Sequence, residues 1–192
     1  MGVLVISLYT SKSQAGIAGT PHDLSGRGWG TNQICVFCHT PHNSASGVNQ
    51  IVPLWNHGTT AATFTLYSSP SLNAVPGQPA GNSKSCLSCH DGTVAIDTYG
   101  TRTGTNFVSG SALLGTDLSN DHPISFTYDA ALASADGGLV TPVDATKVVT
   151  GIPLYGGKLE CASCHNAHDN ANGDFLRNTN AGSALCFKCH NK

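Results

Sequence analysis

Eight cysteines fall into four pairs, Cys35 and Cys38, Cys86 and Cys89, Cys161 and Cys164, and Cys186 and Cys189, and a histidine follows each pair at once: His39, His90, His165 and His190. No cysteine is left over. With 9 histidines in 192 residues, chance would put one after all four pairs about five times in a million. Cysteines three positions apart lie on one side of a helical turn, where their sulfurs can form thioethers with the two vinyl groups of one porphyrin. The next residue then aims its imidazole at the iron. The motifs therefore predict four haem c groups, with the eight cysteines as covalent attachment points and His39, His90, His165 and His190 as proximal iron ligands. Two other uses of the cysteines explain the pattern less well. Zinc sites built from pairs of Cys-x-x-Cys elements have no need of a histidine at every fifth position. A Cys-x-x-Cys pair bridged to itself closes too short a loop to staple a fold.

The second axial ligand decides between electron transfer and catalysis. Met1 is the one methionine, so His/Met ligation, which raises haem potential, is out of reach for at least three of the four irons. Five histidines remain: His22, His42, His57, His122 and His168. They permit bis-histidine ligation throughout with one to spare. Six-coordinate irons offer a substrate no open position and carry low potentials. No Cys-x-x-Cys-Lys motif is present, and the chain is expected to be an electron carrier rather than an enzyme.

Two of these histidines repeat a pattern. His42, in Cys-Val-Phe-Cys-His39-Thr-Pro-His42, and His168, in Cys-Ala-Ser-Cys-His165-Asn-Ala-His168, each stand three residues past a proximal ligand. Neither can easily reach around a ring whose other face its neighbour holds, so each is expected to serve a different haem as distal ligand and to bring haems within rapid electron-hopping distance. The alternative is a histidine that only stabilises the turn. His22, in Thr20-Pro-His-Asp-Leu-Ser25, and His122, in Asn120-Asp-His-Pro-Ile-Ser125, occupy turn sequences that can carry a distal ligand over a haem face. Asp23 and Asp121 beside them are candidates to orient the rings. His57 is either a ligand or a polar residue packed beside Trp55, and is the expected spare.

The elements that must position these groups are short. Asp, Glu, Lys and Arg make up only 10% of the chain, against roughly 25% in ordinary soluble domains. The expected fold is mostly irregular coil, with short helices only at the haem motifs and a few short strands, organised around the cofactors. One tetrahaem domain spans 1–192, because four haems shared among 192 residues leave the porphyrins to supply much of the apolar core. Residues 1–34 form an N-terminal arm open to contact with another subunit. Its Gly2-Val-Leu-Val-Ile-Ser-Leu8 stretch suits a strand and is too short to cross a bilayer as a helix; the chain is expected to be a mature form without its leader and without a transmembrane segment. Residues 60–68 read as a strand, 69–85 as a Pro/Gly/Ser-rich loop, and Val143 to Tyr155 as short strands, with turns at Gly137-Gly138 and Gly156-Gly157. A formal charge of −2 and the lack of a basic cluster argue against nucleic-acid binding.

The succession Pro-His22-Asp-Leu-Ser, Cys-Val-Phe-Cys-His-Thr-Pro-His42-Asn, Pro-Leu-Trp-Asn, Cys-Leu-Ser-Cys-His-Asp-Gly, Asp-His122-Pro-Ile, Cys-Ala-Ser-Cys-His-Asn-Ala-His168 and Cys-Phe-Lys-Cys-His resembles the multihaem cytochromes with doubled haem motifs from metal-reducing prokaryotes. With four haems it is most similar to the OmcE-type extracellular cytochrome filaments. The resemblance implies a helical homopolymer with haems stacked along its length, every iron bis-histidine ligated and one axial ligand donated across the subunit boundary. By that similarity His42 is the donor to a haem of the neighbouring subunit. Redox partners are then expected at the cell surface and the location is extracellular after export, because haem c is attached outside the cytoplasmic membrane. The alternative is a soluble periplasmic tetrahaem carrier.

Overall fold

With glycine, serine, threonine and asparagine abundant between the motifs, the backbone is held mainly by turns. The computed structural model describes residues 16–42, 44 and 52–191, and its regular structure is three short α-helices, one two-stranded sheet and several 3-10 turns. The helices are α1 (Gly81–His90), α2 (Ala130–Asp136) and α3 (Cys161–Cys164). The strands are β1 (Phe126–Thr127) and β2 (Lys158–Leu159), paired antiparallel with Phe126 opposite Leu159. Among the described residues no helix is long and apolar enough to cross a membrane. The N-terminal strand expected near Gly2–Leu8 lies outside the described residues. The described part of the arm runs against its own chain, Gly16 bridging Asp169 and the Tyr99 hydroxyl donating to the Trp29 carbonyl at 2.7 Å.

Each motif folds as a helical turn. The N–H of His39 donates to the Cys35 carbonyl (2.7 Å), that of His165 to Cys161 (3.0 Å) and that of His190 to Cys186 (2.9 Å). This i to i+4 closure sets both sulfurs on one side and the imidazole a turn further on. The second motif is the C-terminal end of α1, the third is α3, and the first and fourth are 3-10 turns at Ile34–Phe37 and Cys186–Lys188.

The second and third motifs pack through small polar side chains. On α1, Ser83 and Ser88 are fully buried, and Asn82 and Ser85 nearly so. The Ser83 hydroxyl donates to the Glu160 carboxylate and accepts from the Cys161 N–H at 2.9 Å, which fastens α1 to the start of α3. The Ser88 hydroxyl donates to the Lys84 carbonyl (2.7 Å) and accepts from the Thr60 N–H (3.0 Å). Serine adds little bulk and satisfies its own hydroxyl, so two motif helices can approach closely without leaving buried polar groups unpaired.

The apolar core lies between the second and third motifs. Phe126, Tyr128, Val148, Ile152, Leu154 and Leu159 form the main cluster, and Leu185 and Cys189 of the fourth motif pack against it. The Tyr128 hydroxyl donates to the Val140 carbonyl (2.9 Å) and lies 3.3 Å from that of Cys189. A second cluster joins Phe64, Leu87 and Leu118.

Four local expectations are corrected. Helices are not confined to the motifs: α2 forms where Asp129 caps an alanine-rich run, its carboxylate accepting from the Leu132 N–H at 2.8 Å, and Gly137 ends it in the left-handed conformation at φ 69°. Residues 60–68 are extended without forming a strand, with one bridge from Thr65 to Asp117, because the Gln78 amide takes a strand neighbour's place. Its oxygen accepts from the Phe64 N–H and its nitrogen donates to the Phe64 carbonyl, both at 2.9 Å. The 69–85 loop gives way to α1 at Gly81. Val143 to Tyr155 makes isolated bridges, Asp144 to Lys147 and Lys147 to Pro153, because it doubles back on itself in successive tight turns; the strand of this region is β2, just beyond it.

Candidate haem sites

The eight cysteines stand unbridged, and among the described residues no three His, Cys, Asp or Glu side chains converge as a directly bound metal ion would need. On the sequence reading their thiols stand for the sulfurs of thioether links. They come together in motif order. Burial and the nearby Cys38 push the Cys89 thiol up to about 12. The Cys86 thiol contacts that of Cys161, and this contact, then burial, raises Cys86 well above its ordinary value. Burial raises Cys189 to about 11, with Cys164 and Cys186 of the third and fourth motifs adding to it. Each motif is thus beside the next.

Three proximal rings are oriented by backbone carbonyls. His39 Nδ1 lies 2.8 Å from the Pro53 oxygen, His90 Nδ1 2.8 Å from that of Ala112, and His165 Nδ1 2.8 Å from that of Asp174. An imidazole that donates Nδ1–H to a carbonyl presents the lone pair of Nε2, the tautomer a metal requires.

Opposite three of the four proximal rings stands a second imidazole. His168 faces His39 with ring centroids 6.1 Å apart, His22 faces His90 at 6.1 Å, and His122 faces His190 at 6.3 Å. Two imidazoles on opposite sides of one metal, each nitrogen about 2.0 Å from it, stand roughly 6 Å apart between ring centres. The three spacings match that distance, and every pair joins one motif histidine to one outside the motifs. These residues fit haem. Partial burial holds His22 below the ordinary histidine value, and loss of surrounding water shifts the more exposed His122 and His168 the same way, which favours the neutral ring that iron binds.

The orienting groups differ from those expected. The Asp23 carboxylate is engaged by the Gly19 N–H (2.9 Å) and the Ser25 hydroxyl (2.6 Å), so it ties its own turn together, and His22 lies beside the Ala167 backbone instead. His122 Nδ1 lies 2.9 Å from the Pro123 carbonyl oxygen, not on Asp121. A carbonyl in the ring's own turn is reached without the chain reversal that an adjacent carboxylate would need.

Three histidines stand apart from the pairs. His57 is buried (3% exposed), edge-on to Trp55 at 5.9 Å, with Nε2 3.1 Å from the Cys89 sulfur. His165 and His42 are exposed, and among the described residues no second imidazole faces either. Sequence reasoning missed Phe175, whose ring lies on that of His22 with centroids 4.2 Å and planes 13° apart. Nothing in its local sequence signals that contact.

Residues 153–192, which hold the third and fourth motifs, match the doubled CXXCH motif family. A search of curated proteins finds no match. The family match supports a multihaem c-type cytochrome: its CXXCH motifs imply covalently bound haem c, and such cytochromes are generally electron carriers rather than enzymes.

Proposed function

We propose that this chain is the tetrahaem subunit of an extracellular conductive filament, which passes electrons along a homopolymer to acceptors outside the cell. Haem c supplies a one-electron iron couple; the chain supplies its attachment, its axial ligands and its spacing. Cys35, Cys38, Cys86, Cys89, Cys161, Cys164, Cys186 and Cys189 anchor four haems, and His39, His90, His165 and His190 are the proximal ligands. His168 completes the first site, His22 the second and His122 the fourth. His42 completes the third, opposite His165 of the next subunit.

One observation carries the reading. Three proximal imidazoles have a second ring at the spacing one metal requires, while one proximal ring, His165, and one exposed ring, His42, have none among the described residues. Ligation between copies satisfies both, and a ligand given forward by every subunit propagates a filament. His57 is a poorer sixth ligand, since its Nε2 is against the Cys89 sulfur and burial keeps the ring packed on Trp55. The packing of motifs in sequence order supports short electron steps within each subunit.

The test is electron cryo-microscopy of haem-loaded protein alongside its His42→Ala variant. The native chain is expected to form filaments with all haems low-spin. The variant is expected to give discrete particles in which one haem in four turns high-spin. Discrete native particles at high concentration would overturn the filament and leave a soluble periplasmic carrier; filaments of the variant with fully low-spin haem would remove His42 as the crossing ligand.

A further inference from the structure

The loop 166–177 meets three of the candidate haem sites, and one of its side chains belongs neither to a ligand pair nor to either apolar cluster. His168 faces the first proximal ring, the Ala167 backbone lies beside His22, and the Asp174 carbonyl accepts from His165. Phe175 is buried at 8% exposure with its ring flat on His22. Asp174 and Phe175 both lie in the left-handed region, at φ 45° and 54°, a conformation unfavourable for side chains other than glycine and often kept where a site needs it. The loop holds them there: the Phe175 N–H donates to Asn170 Oδ1 (2.8 Å), and its carbonyl accepts from the Asn166 N–H (2.6 Å). The strained pair therefore sits between a carbonyl that orients the third proximal ring and an aromatic face that covers the ring opposite the second.

We infer that Phe175 is a positioning residue that fixes the rotation of the His22 ring about its bond to iron, and with it the angle between the two imidazole planes at the second haem. This rests on reading His22 and His90 as ligands of one iron. An imidazole can spin about its metal–nitrogen axis unless something flanks it. A phenyl ring 4.2 Å away and 13° from parallel admits one plane only. The planes cross at 63° here, against 20° for His39 and His168 and 76° for His122 and His190. Near-parallel imidazoles split the two π-type iron orbitals and crossed ones leave them nearly degenerate, a difference that paramagnetic resonance of oxidised haem reads as a rhombic spectrum or as one large-g feature.

The experiment is paramagnetic resonance of the oxidised holoprotein, with haem content measured in parallel. Native protein is expected to show large-g features from the two crossed pairs and a rhombic signal from the near-parallel pair, and His22→Ala marks the second haem by abolishing its feature. Phe175→Leu is expected to shift or broaden that feature alone, while Phe175→Tyr, which keeps the stack, preserves it. An unchanged feature in Phe175→Leu at full haem content overturns the inference. A His22→Ala spectrum that keeps every native low-spin signal overturns instead the ligand reading beneath it. Should the leucine variant fail to mature, Phe175→Met, unbranched and closer in volume, is read by the same criterion.

Discussion

Two buried carboxylates, neither beside a proximal ring, work in opposite directions. Asp97 is fully buried. Burial alone would push its carboxyl up, but the N–H groups of Thr105 and Asn106 on one oxygen and the Asn106 amide and Arg102 on the other hold it below the ordinary value of 3.8. Gly104 has no alternative beside it, since a Cβ there would come within 2.2 Å of Asp97 Oδ1. Glu160 is raised above its ordinary 4.5, chiefly by burial, although the Ser83 and Ser125 hydroxyls donate to it. The linkage signs follow from which state binds more protons. The Asp97 contribution is present above the unfolded value near 3.8 and is lost as pH falls through the lower folded one. The Glu160 contribution is fullest below 4.5 and is lost as pH rises through the higher folded value. Denaturant unfolding of the holoprotein across pH should therefore show Asp97→Asn flattening the acid side of the stability curve and Glu160→Ala flattening the slope just above it. Glu160→Ala should also cost about 1–3 kcal/mol, because it strands buried donors; a parallel pH profile in either variant would refute its assignment.

Elements as short as these owe their existence to their ends. α2 buries Ala133 fully and packs Leu132 against the main apolar cluster, so little packing holds it and its cap and its alanines carry much of the rest. Asp129→Ala should cost about 1 kcal/mol, read as a lower denaturation midpoint, with haem absorbance and ligand spectra unchanged because no motif lies on α2. A loss of haem would show that the helix positions the fourth motif through the adjacent Leu139–His190 bridge. Asp before an alanine run before Gly-Gly is a helix signature that was legible beforehand, and reading Gly137-Gly138 only as a turn concealed it. The replacement of a strand by Gln78 was not legible, since a side-chain amide that mimics a backbone partner is defined by where the loop returns. For α1 the pattern is uninformative for another reason: apart from Leu87 its buried residues are serine and asparagine, and such residues look like loop until the neighbouring motif helix is in place.

At the scale of the molecule, the apolar clusters among the described residues are small and neither contains a residue of the first motif. The chain without haem is therefore expected to be largely unfolded, by the logic that leaves small metal-dependent domains unfolded without metal. Expression with and without haem attachment, compared by circular dichroism and limited proteolysis, checks this; a protease-resistant haem-free chain would contradict it. Spacing along the chain is enough to place the sites where covalent chemistry can occur, the imidazole after each cysteine pair, and a short helix at every motif. Those features depend on five consecutive residues, and local geometry settles them. The sequence also narrows the remaining imidazoles to five. It takes the folded chain to show that His22 faces His90, that His168 faces His39, that His122 faces His190 and that His57 is packed away against Trp55 and Cys89. Such meetings depend on how long, turn-rich loops close, and closure is set by hydrogen bonds and packing between segments distant in the chain, which no local spacing records.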